Sequence, residues 1–192
     1  SPQLRKFVPG MIILIGTSTS NPQYIDLLYK LSHDEDKEVA LRSLLALGIV
    51  GAGTNNSRIG SLLKSLSGYY ETENEFQYCI RVSLGFLHMG KGLVGLNPSF
   101  SDGFLTSNNG LSALLILVFA MLDCEEFLIK NHHFIFSFMG LAISPKSLFY
   151  LNDKLEESKV TVRVGTALDT VAQVGKPRKI TGFQTHESPV LI

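Results

Sequence analysis

The residues best suited to chemistry lie in a few short runs. Gly85-Phe-Leu-His-Met-Gly90-Lys91-Gly92 has the outline of a phosphate-binding loop, G-x-x-x-x-G-K-[ST]. Gly92 stands where the hydroxyl that holds magnesium belongs. The run also closes an expected helix, whereas such a loop follows a strand and opens one. Gly48-Ile-Val-Gly51-Ala-Gly53 spaces its glycines as G-x-x-G-x-G. A dinucleotide turn needs G-x-G-x-x-G inside a βαβ unit, and none surrounds it. Both runs read as structural glycines, and no nucleotide or other cofactor is expected.

Ser32-His33-Asp34 contains the three residue types of a hydrolytic triad, but triad partners meet in space and not as chain neighbours. A capped helix start is the expected role. His132 and His133 would diverge by about 100 degrees on a helix, and no Cys or acidic partner sits at ligand spacing. Glu125 and Glu126 are ligands only in principle, and His88 and His186 are single histidines. Cys79 and Cys124 make neither a disulfide framework nor a four-ligand zinc site. They read as apolar core fillers in a reducing compartment. No acid–base pair or activated nucleophile emerges, so a non-enzyme with no catalytic and no metal residues is expected.

Composition narrows the partners. Seventeen basic and seventeen acidic residues cancel, so no global field favours nucleic acid or an anionic membrane. The compact basic cluster Lys176-Pro-Arg-Lys179 reads as a solvated turn. The longest apolar run, Leu111 to Leu122, is shorter than the roughly 20 residues that span a bilayer, and it reads as a fully buried helix. With 45% hydrophobic and 18% charged residues over 192 positions, and a mean hydropathy of +0.19, the chain carries surface suited to being covered by more protein. It reads as a fragment of something longer.

The elements that position these residues repeat. Gly16, Gly53 and Gly90 lie 37 residues apart, and Leu47-Gly48 matches Leu84-Gly85 at the same offset. One unit is an apolar Gly-containing helix, a Gly turn and a second helix. Asn21-Pro22 offers an N-cap with Pro at the first helical position. Ser32 with Glu35, and Thr72 with Glu75, have capping-box spacing. Leu27, Leu28 and Leu31 face inward from one outer helix, and Ile59, Leu62, Leu63 and Leu66 from the next. Glycine inside a helix costs about 1 kcal/mol relative to Ala, so its recurrence predicts close helix–helix approach. Gly16, Gly48, Gly53, Gly85 and Gly90 are the expected structural repeat glycines, with Gly48 and Gly85 as equivalent contacts.

After Gly92 the spacing predicts a long loop from Leu93 to Asn109, then helices over 110–123 and 125–143. Alternation of Val160, Val162 and Val164 with Thr161 and Arg163 predicts a half-buried strand. The expected fold is mainly α, a solenoid or toroid of helix pairs over residues 1–145. A small, incomplete β-rich unit follows over 146–192.

Leu31 to Val39, Ala46 to Leu63, Leu84 to Gly92, Val160 to Gly165 and Gly175 to Leu191 together resemble the 26S proteasome non-ATPase regulatory subunit 2 family, its proteasome/cyclosome repeats and carboxyl-terminal part. The resemblance implies a toroidal α-solenoid closed by a β-containing domain. It implies a non-catalytic scaffold in the base of the regulatory particle, beside the proteasome ATPase ring and other regulatory-particle subunits, in cytoplasm and nucleus. The family docks ubiquitin, ubiquitin-like domains of shuttle factors and a deubiquitinase through the full-length subunit, mostly upstream of this region. No receptor residue is therefore carried over. A helical-repeat adaptor outside the proteasome is the alternative.

Overall fold

The computed structural model describes residues 2–100, 105–164, 167–173, 176–181 and 184–191. The chain is mainly α with a small β-rich part. Helices α1 (Pro2–Arg5), α2 (Val8–Gly16), α3 (Pro22–Leu31), α4 (Lys37–Val50), α5 (Ser57–Tyr69) and α6 (Asn74–Leu87) are followed by a short strand, β1 (Val94–Leu96), and by α7 (Asn108–Ala120). Two compact units divide the chain, Ser1–Ser144 and Pro145–Ile192.

In the first unit α4 packs against α2, α3 and α6, and α5 packs against α6. Every residue of α4 from Val39 to Val50 is buried, as a helix enclosed by neighbours requires. The outer helices bury one face only, through Ile25 and Leu28 in α3 and through Ile59, Leu63 and Leu66 in α5. Leu27, expected on that face, is exposed.

Helix starts follow side-chain chemistry at four places, one of them Ser107, which accepts from the Gly110 amide at 3.2 Å ahead of α7. The Asn21 side chain accepts from the Gln23 amide at 2.9 Å with Pro22 next, and Asn56 does the same for α5 from Arg58 at 2.9 Å. Asp36, and not Ser32, caps α4 by accepting from the Glu38 amide at 3.0 Å. Ser32 instead ends α3, its hydroxyl donating to the Tyr29 carbonyl at 2.7 Å. Glu73 precedes α6 with no side-chain cap, so the Thr72–Glu75 box does not form.

The turns between paired helices repeat in three dimensions. Positive φ recurs at Ser18 and Ser20, at Gly53 and Asn55, and at Gly90 and Gly92. The Ser18 and Ser20 amides donate to the Ile49 and Val50 carbonyls at 3.2 and 3.1 Å. One repeat later, the Gly53 and Asn55 amides donate to Phe86 and Leu87 at 2.9 and 3.2 Å. Each turn thus satisfies the open carbonyls at the end of the next Gly-bearing helix. The position equivalent to Gly53 is therefore Ser18. Gly16, two residues earlier, is the last residue of α2.

Beyond α6 the expected loop contains β1, which pairs with β2 (Ile143–Pro145), and a bridge from Ser99 to Thr106. Asp102 and Gly103 lie outside the described residues. The expected helix over 125–143 is instead a π-helical turn, Glu125–Lys130, and a 3-10 run, His133–Ala142.

The second unit contains β3 (Ser147–Leu148), β4 (Tyr150–Leu151), β5 (Glu157–Ser158), β6 (Thr161–Val164), β7 (Ala167–Gln173), β8 (Lys176–Thr181), β9 (Gln184–Glu187) and β10 (Val190–Leu191). They pair antiparallel as β3 with β10, β4 with β5, β6 with β9 and β7 with β8. Val162 and Val164 are half-buried and Thr161 and Arg163 exposed, the alternation of a one-sided strand. Lys176 to Lys179 do not turn: they run in β8, with Lys179 opposite Asp169. Ser188 is buried and holds the strand ends together. Its amide donates to the Val160 carbonyl, and its hydroxyl accepts from the Val160 amide, both at 2.9 Å. Gly165, Gly175 and Gly182 lie outside the described residues.

Candidate functional site

The phosphate-loop-like run is occupied by the repeat itself. Its first three residues end α6, and Gly90 and Lys91 beyond adopt φ of 56° and 55°. The Lys91 amide donates to the His88 carbonyl at 3.1 Å, and the Leu93 amide to Gly90 at 2.9 Å. His88 Nδ1 pairs with Asn55 Oδ1 at 2.8 Å. A Cβ on Gly92 would lie 2.6 Å from Asn55 Nδ2, and one on Gly90 would collide with Val94 Cγ2. These glycines pack the third turn against the second.

Gly53 is the tightest position of the set. With φ of +64°, its missing Cβ would fall onto the Val94 carbonyl, 2.9 Å from the carbonyl carbon. Leu96, two residues on, donates its amide to Ser18 Oγ at 2.8 Å. Strand β1 therefore crosses the turns of both earlier repeats. Gly16 lies against the Tyr24 ring, where a Cβ would approach Cδ2 to 2.6 Å. A Cβ on Gly48 would stand 2.5 Å from Ser83 Cβ. Gly85 departs from the expected equivalence: it is exposed, and nothing lies within 4 Å of where its Cβ would be. The helix crossing places Ser83, not Gly85, opposite Gly48.

The triad-like run is divided among three tasks. Ser32 is fully buried, with its hydroxyl given to Tyr29. The His33 ring stands between those of Tyr29 and Tyr69, at 5.0 and 5.2 Å. Asp34 pairs with Arg5. His132 lies among Phe127 and Phe134 at 5.4 and 5.9 Å. Glu125 pairs with Lys130, which holds its carboxyl below the ordinary range, and Glu126 accepts from Asn131 at 2.7 Å. Among the described residues no cluster of three His, Cys, Asp or Glu could hold a metal. His186 sits in β9 opposite Val162. Cys79 and Cys124 are buried neighbours, and the Cys79 thiol is pushed well up by its hydrogen bond with Cys124 and then by burial.

Two features escape a reading of the sequence. Arg42, in the most enclosed helix, is only 4% exposed. It stands in an apolar run and shows no partner at helical spacing except Glu38. The second is a pair of exposed apolar rows. Leu4, Phe7, Met11 and Ile15 recur every three or four residues from α1 through α2, and Leu115 and Phe119 of α7 do so with Leu122 in the 3-10 turn beyond it. The two helices pack together, and a Cβ on Gly10 would lie 2.9 Å from Val118 Cγ1. Helix α7 is thus not fully buried: Gly110, Ala113, Leu114, Leu117 and Ala120 form its only buried face. No helix among the described residues is long and apolar enough to cross a membrane.

Residues 171–192 match the family profile described as the 26S proteasome non-ATPase regulatory subunit RPN1 C-terminal. Over 189 residues the chain is 41% identical to 26S proteasome non-ATPase regulatory subunit 2 homolog B of Arabidopsis thaliana, covering 98% of this chain and 21% of that protein. Along 98% of its residues the chain is similar to this family. It is also 37% identical over 191 residues to 26S proteasome regulatory subunit rpn1 of Schizosaccharomyces pombe, covering 100% of this chain and 21% of the relative. Against the subunit of Encephalitozoon cuniculi the identity is 28% over 193 residues, covering 100% of this chain and 24% of the relative. The chain thus spans about a fifth of the length of these curated relatives.

Proposed function

We propose that this chain is a non-catalytic scaffold segment in the base of the proteasome regulatory particle, adjoining the ATPase ring and other regulatory-particle subunits in cytoplasm and nucleus. Within the full-length subunit it supports the docking of ubiquitin, of ubiquitin-like domains of shuttle factors and of a deubiquitinase. The observation that carries this reading is the 41% identity along 98% of the chain to a named regulatory subunit. The repeat geometry adds to it. Turn amides of one helix pair bond the helix end of the next, which is how stacked repeats build an extended platform. The helical repeats occupy residues 1–145, and the β-rich unit 146–192 is part of a larger β-containing domain.

The apolar rows on α1, α2 and α7 are covered by a further helix pair of the same kind. Two facts support that occupant: α2 already packs on such a helix, α4, and about four-fifths of each relative lies outside the span matched here. The test is co-purification of the tagged full-length protein from cells. Proteasomal ATPases in stoichiometric yield are expected. Vesicle or chromatin proteins without ATPases would favour an adaptor outside the proteasome.

A further inference from the structure

We infer that Arg42 is the positioning residue of the exposed apolar surface, fixing the amino-terminal row relative to α7. Its guanidinium reaches three parts of the chain at once. One terminal nitrogen donates to the Lys6 carbonyl at 3.0 Å. The other donates to the Leu122 carbonyl at 2.6 Å and to Glu38 Oε2 at 2.8 Å. Lys6 lies in the turn between α1 and α2, and Leu122 in the 3-10 turn Met121–Asp123 that continues α7, so both carbonyls sit where regular α-helical bonding is interrupted and an acceptor can be open. A planar fork with donors in diverging directions can hold both; a lysine ammonium is a single point charge.

The two anchored residues border the apolar rows. Phe7 adjoins Lys6, and Leu122 itself ends the α7 row, three residues after Phe119. Lys6, Phe7, Glu38, Arg42, Leu122 and Asp123 together line a groove of about 570 Å³. The same corner is braced by Lys6 with Asp36 at 2.9 Å and by Arg5 with Asp34. Burying a cation inside a helix that is otherwise apolar costs desolvation, and well-packed apolar side chains often replace buried ion pairs without loss of stability. Arg42 is therefore explained by where it sets its neighbours. Lys6 and Leu122 are 36 and 80 residues away in sequence, and Arg42 joins both to α4.

The use of this surface rests on the scaffold reading, but the placement of its two rows is measured independently. Hydrogen exchange on the intact chain, compared with Arg42→Met and Arg42→Lys, is the experiment. In both variants amides over residues 4–8 and 121–124 should exchange about tenfold faster or more, the scale of losing a hydrogen bond to a charged group. Amides in α5 should keep wild-type rates. Unchanged exchange in either segment, or a uniform rise in every helix including α5, would overturn the assignment. Should the Met variant fail to fold, the Lys variant decides by the same pattern. A positive exchange result with no ATPases in the co-purification would remove the scaffold reading and leave Arg42 as the pin.

Discussion

Gly48 of α4 faces Ser83 of α6 so closely that a Cβ on the glycine would stand 2.5 Å from Ser83 Cβ, and Ser83 Oγ donates to the Leu44 carbonyl at 2.8 Å. The hydroxyl ties the backbone of α4 to α6 where the two approach most closely. Any side chain at 48 must push against a neighbouring helix backbone, and overpacking costs about 1–3 kcal/mol, occasionally more. Gly48→Ala should therefore lower the melting temperature, and Gly48→Leu should lower it further. Gly85→Ala has the opposite sign: in open space it removes only the helix penalty of glycine, a gain of roughly 0.5–1 kcal/mol. Lys64→Ala is an exposed control. Thermal melts giving Gly48→Ala and Gly85→Ala the same sign would contradict this packing.

Gly53 combines positive φ with backbone contact. A Cβ in the left-handed region costs about 1–2 kcal/mol, and here it would also displace the Val94 carbonyl. Gly53→Ala should destabilise more than the conformational penalty alone, and Gly53→Asn should not rescue it, because the obstacle is Val94. Urea unfolding of the two variants separates these contributions. A near-native midpoint for Gly53→Asn would show that only φ matters.

Asp36 both caps α4 and pairs with Lys6 at 2.9 Å. Its carboxyl is held below the ordinary range, chiefly by the Lys6 hydrogen bond. The folded state binds this proton less readily than the unfolded state. The contribution is thus complete above the ordinary aspartate range and is lost as pH falls toward the depressed value. Asp36→Asn keeps the cap and should flatten this acid limb. Asp36→Ala also loses the cap, costing about 1 kcal/mol at neutral pH. A chain whose stability between pH 5 and 2 is indifferent to Asp36→Asn would exclude the pair as a contributor.

Cys79 and Cys124 should resist alkylation in the native chain. The thiolate is the reactive form, and Cys79 is pushed up by Cys124 and by burial, so it stays protonated at neutral pH. Iodoacetamide should label both only in denaturant. Stability should fall as pH rises through the ordinary thiol range, where the unfolded chain loses protons that the folded chain retains. Rapid labelling of native Cys79 at neutral pH would contradict its placement.

The repeat was legible because its signals are local. Asn21-Pro22 announces a helix start, and the apolar positions 59, 63 and 66 announce a buried face. Gly53 and Gly90, 37 residues apart, both take positive φ. What the sequence could not separate was a glycine that admits a neighbour from one that merely occupies a helix: Gly48 and Gly85 have matching local sequence and opposite surroundings, because the crossing angle places Ser83 at the contact. Gly16 fits the same period, yet the position it imitates is held by Ser18, a serine in a glycine's conformation. Arg42 was hidden because two of its three partners are backbone carbonyls far away in sequence, which leave no trace in residue types. The apolar run of α7 looked like a buried helix because hydropathy does not distinguish a side chain facing the core from one left exposed.

Replacement tests the proposed scaffold role of this stretch most directly. The matching residues of the Schizosaccharomyces pombe subunit are exchanged for residues 1–192, and the assembled particles are resolved by native gel and mass spectrometry. A complete regulatory particle with its ATPases in normal proportion is predicted. A folded, normally expressed chimera found only outside the particle, with the base lacking this subunit, would contradict it.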